Sequence, residues 1–326
     1  MTIQITVLGL GRIGNSIGLA LAAHKDQVLR VGSDSLPLAE RAAARLNAFD
    51  QIKHNLPEAV EKAEVVVLAC PVDEIRKTLE IIAPELKPGA VVIDTSPLKV
   101  KVTEWAQELL PPERYFISMT PTLNPEHLES LADGPEVAHA DLFKNGLMVI
   151  TNPPATDSNA LQLAADLATL LGSTPYFGDA WEADGLLAAS HMLPKLLAAA
   201  LTNAVTDQPG WQEGRKLAGG PFALATGSVL DLDEAKSFGQ AALDNRENTL
   251  RVLDNLLAEL ETLRATLAGQ DGEALAKWLE HARQKRQEWW AQRKLANWGA
   301  PARAEPLPTS GEVLGRLIGL GKRKKS

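Results

Sequence analysis

Residues 5–22 read ITVLGLGRIGNSIGLALA. An apolar run enters a turn with glycines at 9, 11 and 14, and a helix-period pattern follows at once. Few local patterns restrict a fold as much. A GxGxxG turn between a strand and a helix directs the helix-terminal N–H groups at a diphosphate. Gly9 permits the tight turn, Gly11 the close approach of phosphate, and Gly14 the contact between helix and strand. Arg12 and Ile13 complete the turn, so residues 9, 11, 12, 13 and 14 are its cofactor-binding positions. Asp34 closes the next apolar run, 20 residues after Gly14. A carboxylate there accepts the adenosine ribose hydroxyls and repels a 2′-phosphate, which favours NAD over NADP. Arg30, Ser35 and Arg41 lie near enough to keep NADP open.

The first half of the chain repeats this alternation. Strand patterns at 3–11, 27–34, 63–71, 89–96 and 115–121 are separated by helical ones, and further strands are expected at 146–154 and 174–179. Near-continuous Val/Ile/Leu strands between helices imply a parallel sheet covered on both faces. The expected fold is thus an α/β Rossmann-type, doubly wound parallel sheet, followed by an all-helical dimerisation domain. Residues 1–178 form the dinucleotide-binding part. From Asp179 no strand pattern follows: a helix is expected to about Asp207, then a break at QPGWQEG and a loop through AGGPFALATGS. One long amphipathic helix is expected from Asp233 to about Ala268, preceded by the acids Asp231, Asp233 and Glu234, which suit its dipole. Leu243, Leu250, Leu253, Leu257 and Leu260 form a stripe that such a helix cannot cover itself, which implies a homodimer. A last helix carries Trp278, Trp289, Trp290 and Trp298. Residues 179–298 make up this helical part; 299–326 read as a disordered Pro/Gly-rich linker and basic tail.

Composition removes several classes. A net charge of −8 argues against a nucleic-acid partner. A single cysteine, Cys70, excludes an intramolecular disulfide and fits a reducing cytoplasm. The N-terminal apolar run has no basic region before it and reads as a first strand, not a signal peptide. The longest apolar stretch, 185–205, contains His191, Pro194 and Lys195 and reads as a buried helix of a soluble protein. The basic run Lys322–Lys325 reads as a solvated end rather than a membrane contact. Six histidines and one cysteine show no metal-ligand spacing, so no metal is expected. The turn Cys70-Pro71 follows the third main strand and is placed along the nicotinamide side of the cofactor; the thiol itself reads as a small buried group.

Taken in order, the glycine turn, ACPVDEI, VVIDTSPLK, AHADLFKNGLMVITNPP, SHMLPKLLAAALTNA and KLAGGPFALATGS, with Asn245, resemble the prephenate/arogenate dehydrogenase family from about Ile3 to Trp290. The resemblance implies a Rossmann domain with a helical dimerisation domain. It implies oxidation of a 4-hydroxycyclohexadienyl acid, with hydride passing to NAD(P) and loss of carbon dioxide. Prephenate would give 4-hydroxyphenylpyruvate, and arogenate tyrosine. The substrate-side positions depart from the family pattern. Thr120-Pro121 stands where the family carries His-Pro. Asp94-Thr95-Ser96-Pro97-Leu98-Lys99 has proline in place of the family serine, with Ser96 adjacent. Ala183 replaces a histidine between Glu182 and Asp184. Met192 and Lys195 fall on two further histidine positions, with His191 one step away. Gly227 takes the place of a carboxylate-binding arginine.

The candidate catalytic residues are therefore Thr120, Ser96, His191 and Lys195. Threonine exchanges hydrogen bonds but is no base at neutral pH, and general acid–base assistance is typically worth ~10²–10⁴ in rate. His191 and Lys195 lie four apart on one helix face; the lysine there can bind a carboxylate, or act as an acid/base where desolvation lowers its pKa. His127 reads as a helix-surface residue, with a swing toward the nicotinamide as the alternative, and Lys99 matches the family lysine. Three functions stay open: a dehydrogenase of another small organic acid or amine, an altered prephenate/arogenate dehydrogenase, and a non-catalytic dinucleotide-binding homodimer acting as a sensor or scaffold.

Overall fold

The computed structural model describes residues 2–128, 134–154, 156–230 and 235–296. The expectations made for Asp231, Asp233, Glu234, Trp298 and the tail 299–326 lie outside them. The strands are β1 (Ile3–Leu8), β2 (Val28–Ser33), β3 (Gln51–Ile52), β4 (Val65–Leu68), β5 (Val91–Asp94), β6 (Tyr115–Pro121), β7 (Leu147–Thr151) and β8 (Thr174–Phe177). They form one sheet in the order β3-β2-β1-β4-β5-β6-β7-β8. The chain reverses direction in strand order between β1 and β4, which opens a crevice at their carboxyl ends, where open α/β sheets bind ligands.

Helices α1 (Arg12–Ala20), α2 (Pro37–Leu46), α3 (Leu56–Val60), α4 (Val72–Ile82), α5 (Val100–Leu109) and α6 (Ser158–Leu170) flank the sheet. Strand β4 shows why its residues are almost all aliphatic. Val65 and Val67 pack into one core with Ile17, Leu163 and Leu167, while Val66 and Leu68 pack into the other with Ile75, Leu79 and Val102. With both faces covered, every position is buried, and each such side chain contributes roughly 1.5–3 kcal/mol.

One expectation of strand direction is corrected. All pairs are parallel except β6–β7, which is antiparallel, with Thr120 opposite Val149. The connection between them holds only short 3₁₀ turns at Pro125–His127 and Pro135–Val137 among its described residues, so no crossover helix returns the chain to the far end of the sheet.

The second part comprises α7 (Ala180–Leu187), α8 (Leu193–Thr206), α9 (Trp211–Leu217), α10 (Gly220–Thr226), α11 (Ala235–Asp244), α12 (Arg246–Ala268) and α13 (Gly272–Lys294). A π turn at Ala188–Met192 joins α7 to α8. The expected loop at AGGPFALATGS is instead α10, closed by a 3₁₀ turn at Gly227–Val229. The expected single helix to Ala268 is broken at Asn245, which has φ −105° and ψ 34°. The break has a polar cause: buried Asn245 turns its Nδ2 to donate to the Asp184 carbonyl at 2.9 Å. Met192 and Ala241 join the core beneath α4, so the helices share apolar packing with the sheet domain.

Candidate functional site

The glycine turn has the geometry its spacing implies. Gly9 adopts φ +99°, and a Cβ there would meet the Ala69 carbonyl oxygen at 2.4 Å. At Gly14 a Cβ would lie 1.9 Å from the Gly9 carbonyl oxygen, so strand, turn and helix approach as closely as backbone permits. Gly11 differs: nothing lies within 4 Å of its Cβ position, and it faces open space at the N-terminus of α1. No acid occupies the first turn of that helix. Asp34 is held beside the turn, its Oδ2 accepting from Leu10 N at 2.7 Å and its Oδ1 from Leu36 N at 2.7 Å. Each carboxylate oxygen retains a lone pair for a ribose hydroxyl. An open phosphate cradle and a fixed acid fit a dinucleotide. Arg12 reaches away from the cradle and donates to the His127 carbonyl at 3.2 Å.

Cys70 and Pro71 follow β4 at the other wall of the crevice, with Pro71 capping α4. Burial, with Glu74 and Asp94 nearby, pushes the Cys70 thiol up to about 12. That shift favours the protonated thiol at neutral pH. Alkylation of the native protein by iodoacetamide at pH 8 is expected to be slow, and to accelerate at least tenfold in denaturant; equal rates in both states would contradict this burial.

The carboxyl ends of β5 and β6 carry a buried polar network. Lys99 and Asp94 are fully enclosed, with Nζ 3.2 Å from Oδ2. Lys99 Nζ also donates to Ser118 Oγ at 2.5 Å, and Ser118 Oγ donates to Asp94 Oδ2 at 2.7 Å. Ser96 donates to Asp94 through its N at 2.9 Å and its Oγ at 3.0 Å. Burial lowers the Lys99 pKa, and the Asp94 carboxylate opposes that shift. Above them Thr120 donates its hydroxyl hydrogen to the Ser96 carbonyl at 2.7 Å. Asp184, one turn into α7, accepts from Lys99 N at 2.6 Å and Val100 N at 3.0 Å and so caps α5. Burial raises its pKa, and these two N–H groups counter the rise.

His191 and Lys195 lie on the helical side, His191 near enough to Lys99 for its charge to act on the ring. Met192 is buried against Thr249, whereas His191, in the π turn, keeps solvent access. Partial burial of the ring, with Lys195 and Lys99 nearby, pushes its imidazole down to about 4. Its Nδ1 meets Ser190 Oγ at 3.1 Å. Lys195 Nζ lies over the Phe238 ring, 5.9 Å from its centre. The one-residue step that separates His191 from the family pattern coincides with the π turn, which inserts one residue per turn into a helix. Ala183 is buried and Gly227 lies in its 3₁₀ turn. His127 does not reach toward the crevice: its ring stacks on His139 and its Nε2 lies 2.9 Å from Asp141 Oδ1.

Ser118 and the capping role of Asp184 were missed from sequence. Ser118 stands two residues before Thr120 on one strand face, and period two could have found it. Arg293, at the end of α13, was also missed; it donates to the Leu123 and Asn145 carbonyls and so fixes the segment after β6.

A Rossmann sheet with an open phosphate cradle, packed against a helical part, defines a two-domain nucleotide-binding protein. Residues 17–176 match the family described as prephenate dehydrogenase, nucleotide-binding domain, and residues 179–281 the one described as prephenate dehydrogenase, dimerization domain. The chain belongs to the prephenate dehydrogenase family. It is 28% identical over 280 residues to a cyclohexadienyl dehydrogenase of Zymomonas mobilis, covering 85% of this chain and 92% of that protein. It is 25% identical over 290 residues to a prephenate dehydrogenase of Bacillus subtilis, covering 86% and 75%. The fold is also similar to that of prephenate dehydrogenase from Aquifex aeolicus in complex with hydroxyphenyl propionate and NAD+. That likeness has a TM-score of 0.75 at 19% identity, over 88% of this chain and 98% of that one.

Proposed function

We propose that this protein is an NAD-dependent dehydrogenase of a 4-hydroxycyclohexadienyl acid, prephenate or arogenate, working as a soluble homodimer in the cytoplasm. The observation that supports this reading best is the buried Lys99–Asp94–Ser118 network at the carboxyl ends of β5 and β6, whose Lys99 lies near enough to His191 to act on its charge. Residues 1–178 hold the cofactor and 179–298 supply the other wall. NAD, when bound, accepts the hydride. The turn at Gly9, Gly11, Arg12, Ile13 and Gly14 would hold its pyrophosphate, Asp34 its ribose, and the Cys70-Pro71 backbone the nicotinamide side.

Thr120 gives its own hydrogen to the Ser96 carbonyl, which fixes its side chain in the wall beside the substrate hydroxyl. It is no base, so the single hydrogen of that hydroxyl is donated to His191. Neutral His191 takes the proton as hydride leaves. Lys195 binds the carboxylate, in place of the arginine that Gly227 lacks. That pairing also removes a cation from the surroundings of His191 and raises the imidazole toward its ordinary value. Lys99 and Asp94 form the dry floor that fixes Ser96 and Thr120.

The exposed leucines 243, 250, 257, 260 and 267, and the apolar helix Ala180–Thr206 with 22% of its most apolar window buried in one chain, support a partner subunit. That helix is long and apolar enough to span a membrane by composition, but the π turn, Pro194 and Lys195 interrupt it. A second function, cofactor sensing without turnover, is favoured by the hydroxyl at position 120. Fluorescence titration with NAD and NADP, followed by chromatography of reaction mixtures, separates the two. NAD binding with 4-hydroxyphenylpyruvate or tyrosine formed supports the enzyme; NAD binding with neither product supports the sensor.

The state of His191 has its own test. Its native pKa of about 4 lies below the ordinary 6.5. The neutral ring therefore contributes its stability fully above pH 6.5, and that contribution is lost as the pH falls toward 4. In proton NMR of the ligand-free protein, the His191 ring signal is expected to stay unchanged from pH 8 to pH 5.5; a midpoint near 6.5 would contradict the environment described.

A further inference from the structure

We propose that His127, His139 and Asp141 form a binding site for a divalent transition-metal ion, zinc being the best fit. The three come from one connection, between β6 and β7, and one ligand atom from each lies within 4.8 Å of the others. His127 Nε2 and Asp141 Oδ1 are 2.9 Å apart, and the two imidazoles are stacked with centres 4.3 Å apart. Zinc bonds imidazole nitrogen and carboxylate oxygen at about 2.0–2.2 Å, and tetrahedral ligands then stand about 3.4 Å apart. His127 and Asp141 are 17% and 48% exposed, so side-chain rotations that unstack the two rings, widen the 2.9 Å pair and draw the other ligand atoms in can reach that size. Two imidazoles and a carboxylate select zinc, cobalt or nickel over magnesium and calcium, which prefer oxygen ligands. A water completes the shell.

The backbone around the cluster is already anchored. His127 offers its carbonyl to Arg12, His139 N donates to Ser16 Oγ at 3.0 Å, and Asp141 offers its carbonyl to Asn124 Nδ2 at 3.1 Å. The backbone that carries the imidazoles and the carboxylate is thus held in place, and two of these anchors come from Arg12 and Ser16 of α1. A metal ion at this place cross-links the segment after β6 to itself, directly over α1. Nothing in the proposed hydride transfer uses these three side chains.

The full-length protein, stripped with EDTA, is titrated with ZnCl₂ against a chromophoric chelator, and with CoCl₂ by visible absorption. One tight equivalent per chain is expected, with a tetrahedral cobalt spectrum. His139→Ala and Asp141→Asn each lower the affinity at least tenfold, while His281→Ala, on the far helix α13, leaves it unchanged. Circular dichroism of each variant shows that it folds. The proposal is overturned if the wild type binds no zinc under these conditions, or if both site variants bind it as tightly as the wild type.

Discussion

Lys99→Met is expected to lower the stability of the protein by about 3–5 kcal/mol, the usual effect of removing one partner from a buried ion pair. Lys99 and Asp94 are both fully enclosed, and Lys99 gives hydrogen bonds to Asp94 and Ser118. With the ammonium gone, the fully enclosed Asp94 carboxylate keeps Ser96 and Ser118 as its side-chain partners among the described residues. The double variant Lys99→Met/Asp94→Asn removes the stranded charge and should recover much of the loss. Urea unfolding of the three proteins measures this. Equal stability of Lys99→Met and wild type would mean that the pair is hydrated, and that the floor beneath Thr120 is not the dry network described.

The second large effect separates two glycines that sequence spacing alone treats alike. Gly14→Ala places a methyl 1.9 Å from the Gly9 carbonyl oxygen, and both partners are backbone. Helix α1 must move off the strand, so both stability and NAD affinity should fall, the latter by more than about tenfold, or 1.4 kcal/mol. Gly11→Ala meets nothing within 4 Å and needs no left-handed backbone, since φ there is −74°. Its stability should stay within about 0.5 kcal/mol of wild type. Its NAD affinity should still drop, because the new methyl occupies the space through which the pyrophosphate approaches. Thermal unfolding with fluorescence titration resolves the pair. Unchanged NAD binding in Gly11→Ala would place the diphosphate elsewhere.

Much of the fold was legible in the sequence because its causes are local and periodic. Strands such as β4 are aliphatic at every position, and the glycine turn joins the first strand to the first helix. Failures occurred where a distant partner decides the local outcome. Asn245 lies inside a helical pattern, yet its bond to the Asp184 carbonyl, 61 residues away, breaks the helix. The antiparallel direction of β7 depends on the preceding connection, whose described residues hold no crossover helix, not on the residues of the strand. In the candidate site, the geometry of the glycine turn with Asp34 beside it follows from spacing alone. The substrate half does not: Thr120 marked the departure, but the enclosure of Lys99 and the caps from Asp184 arise only when two domains pack. His127, His139 and Asp141 meet because their connecting segment folds back on itself, and their spacing matches no common ligand pattern.

The central claim is that the neutral imidazole of His191, with Lys195, replaces the base and the carboxylate partner that Thr120 and Gly227 do not provide. Formation of NADH at 340 nm, with prephenate and with arogenate, tests it most directly when wild type is compared with His191→Asn. Turnover of at least one substrate is expected, reduced ~10²–10⁴-fold in kcat in the variant, as for loss of a general base. Turnover that His191→Asn leaves intact, or no turnover of either acid despite bound NAD, would contradict it.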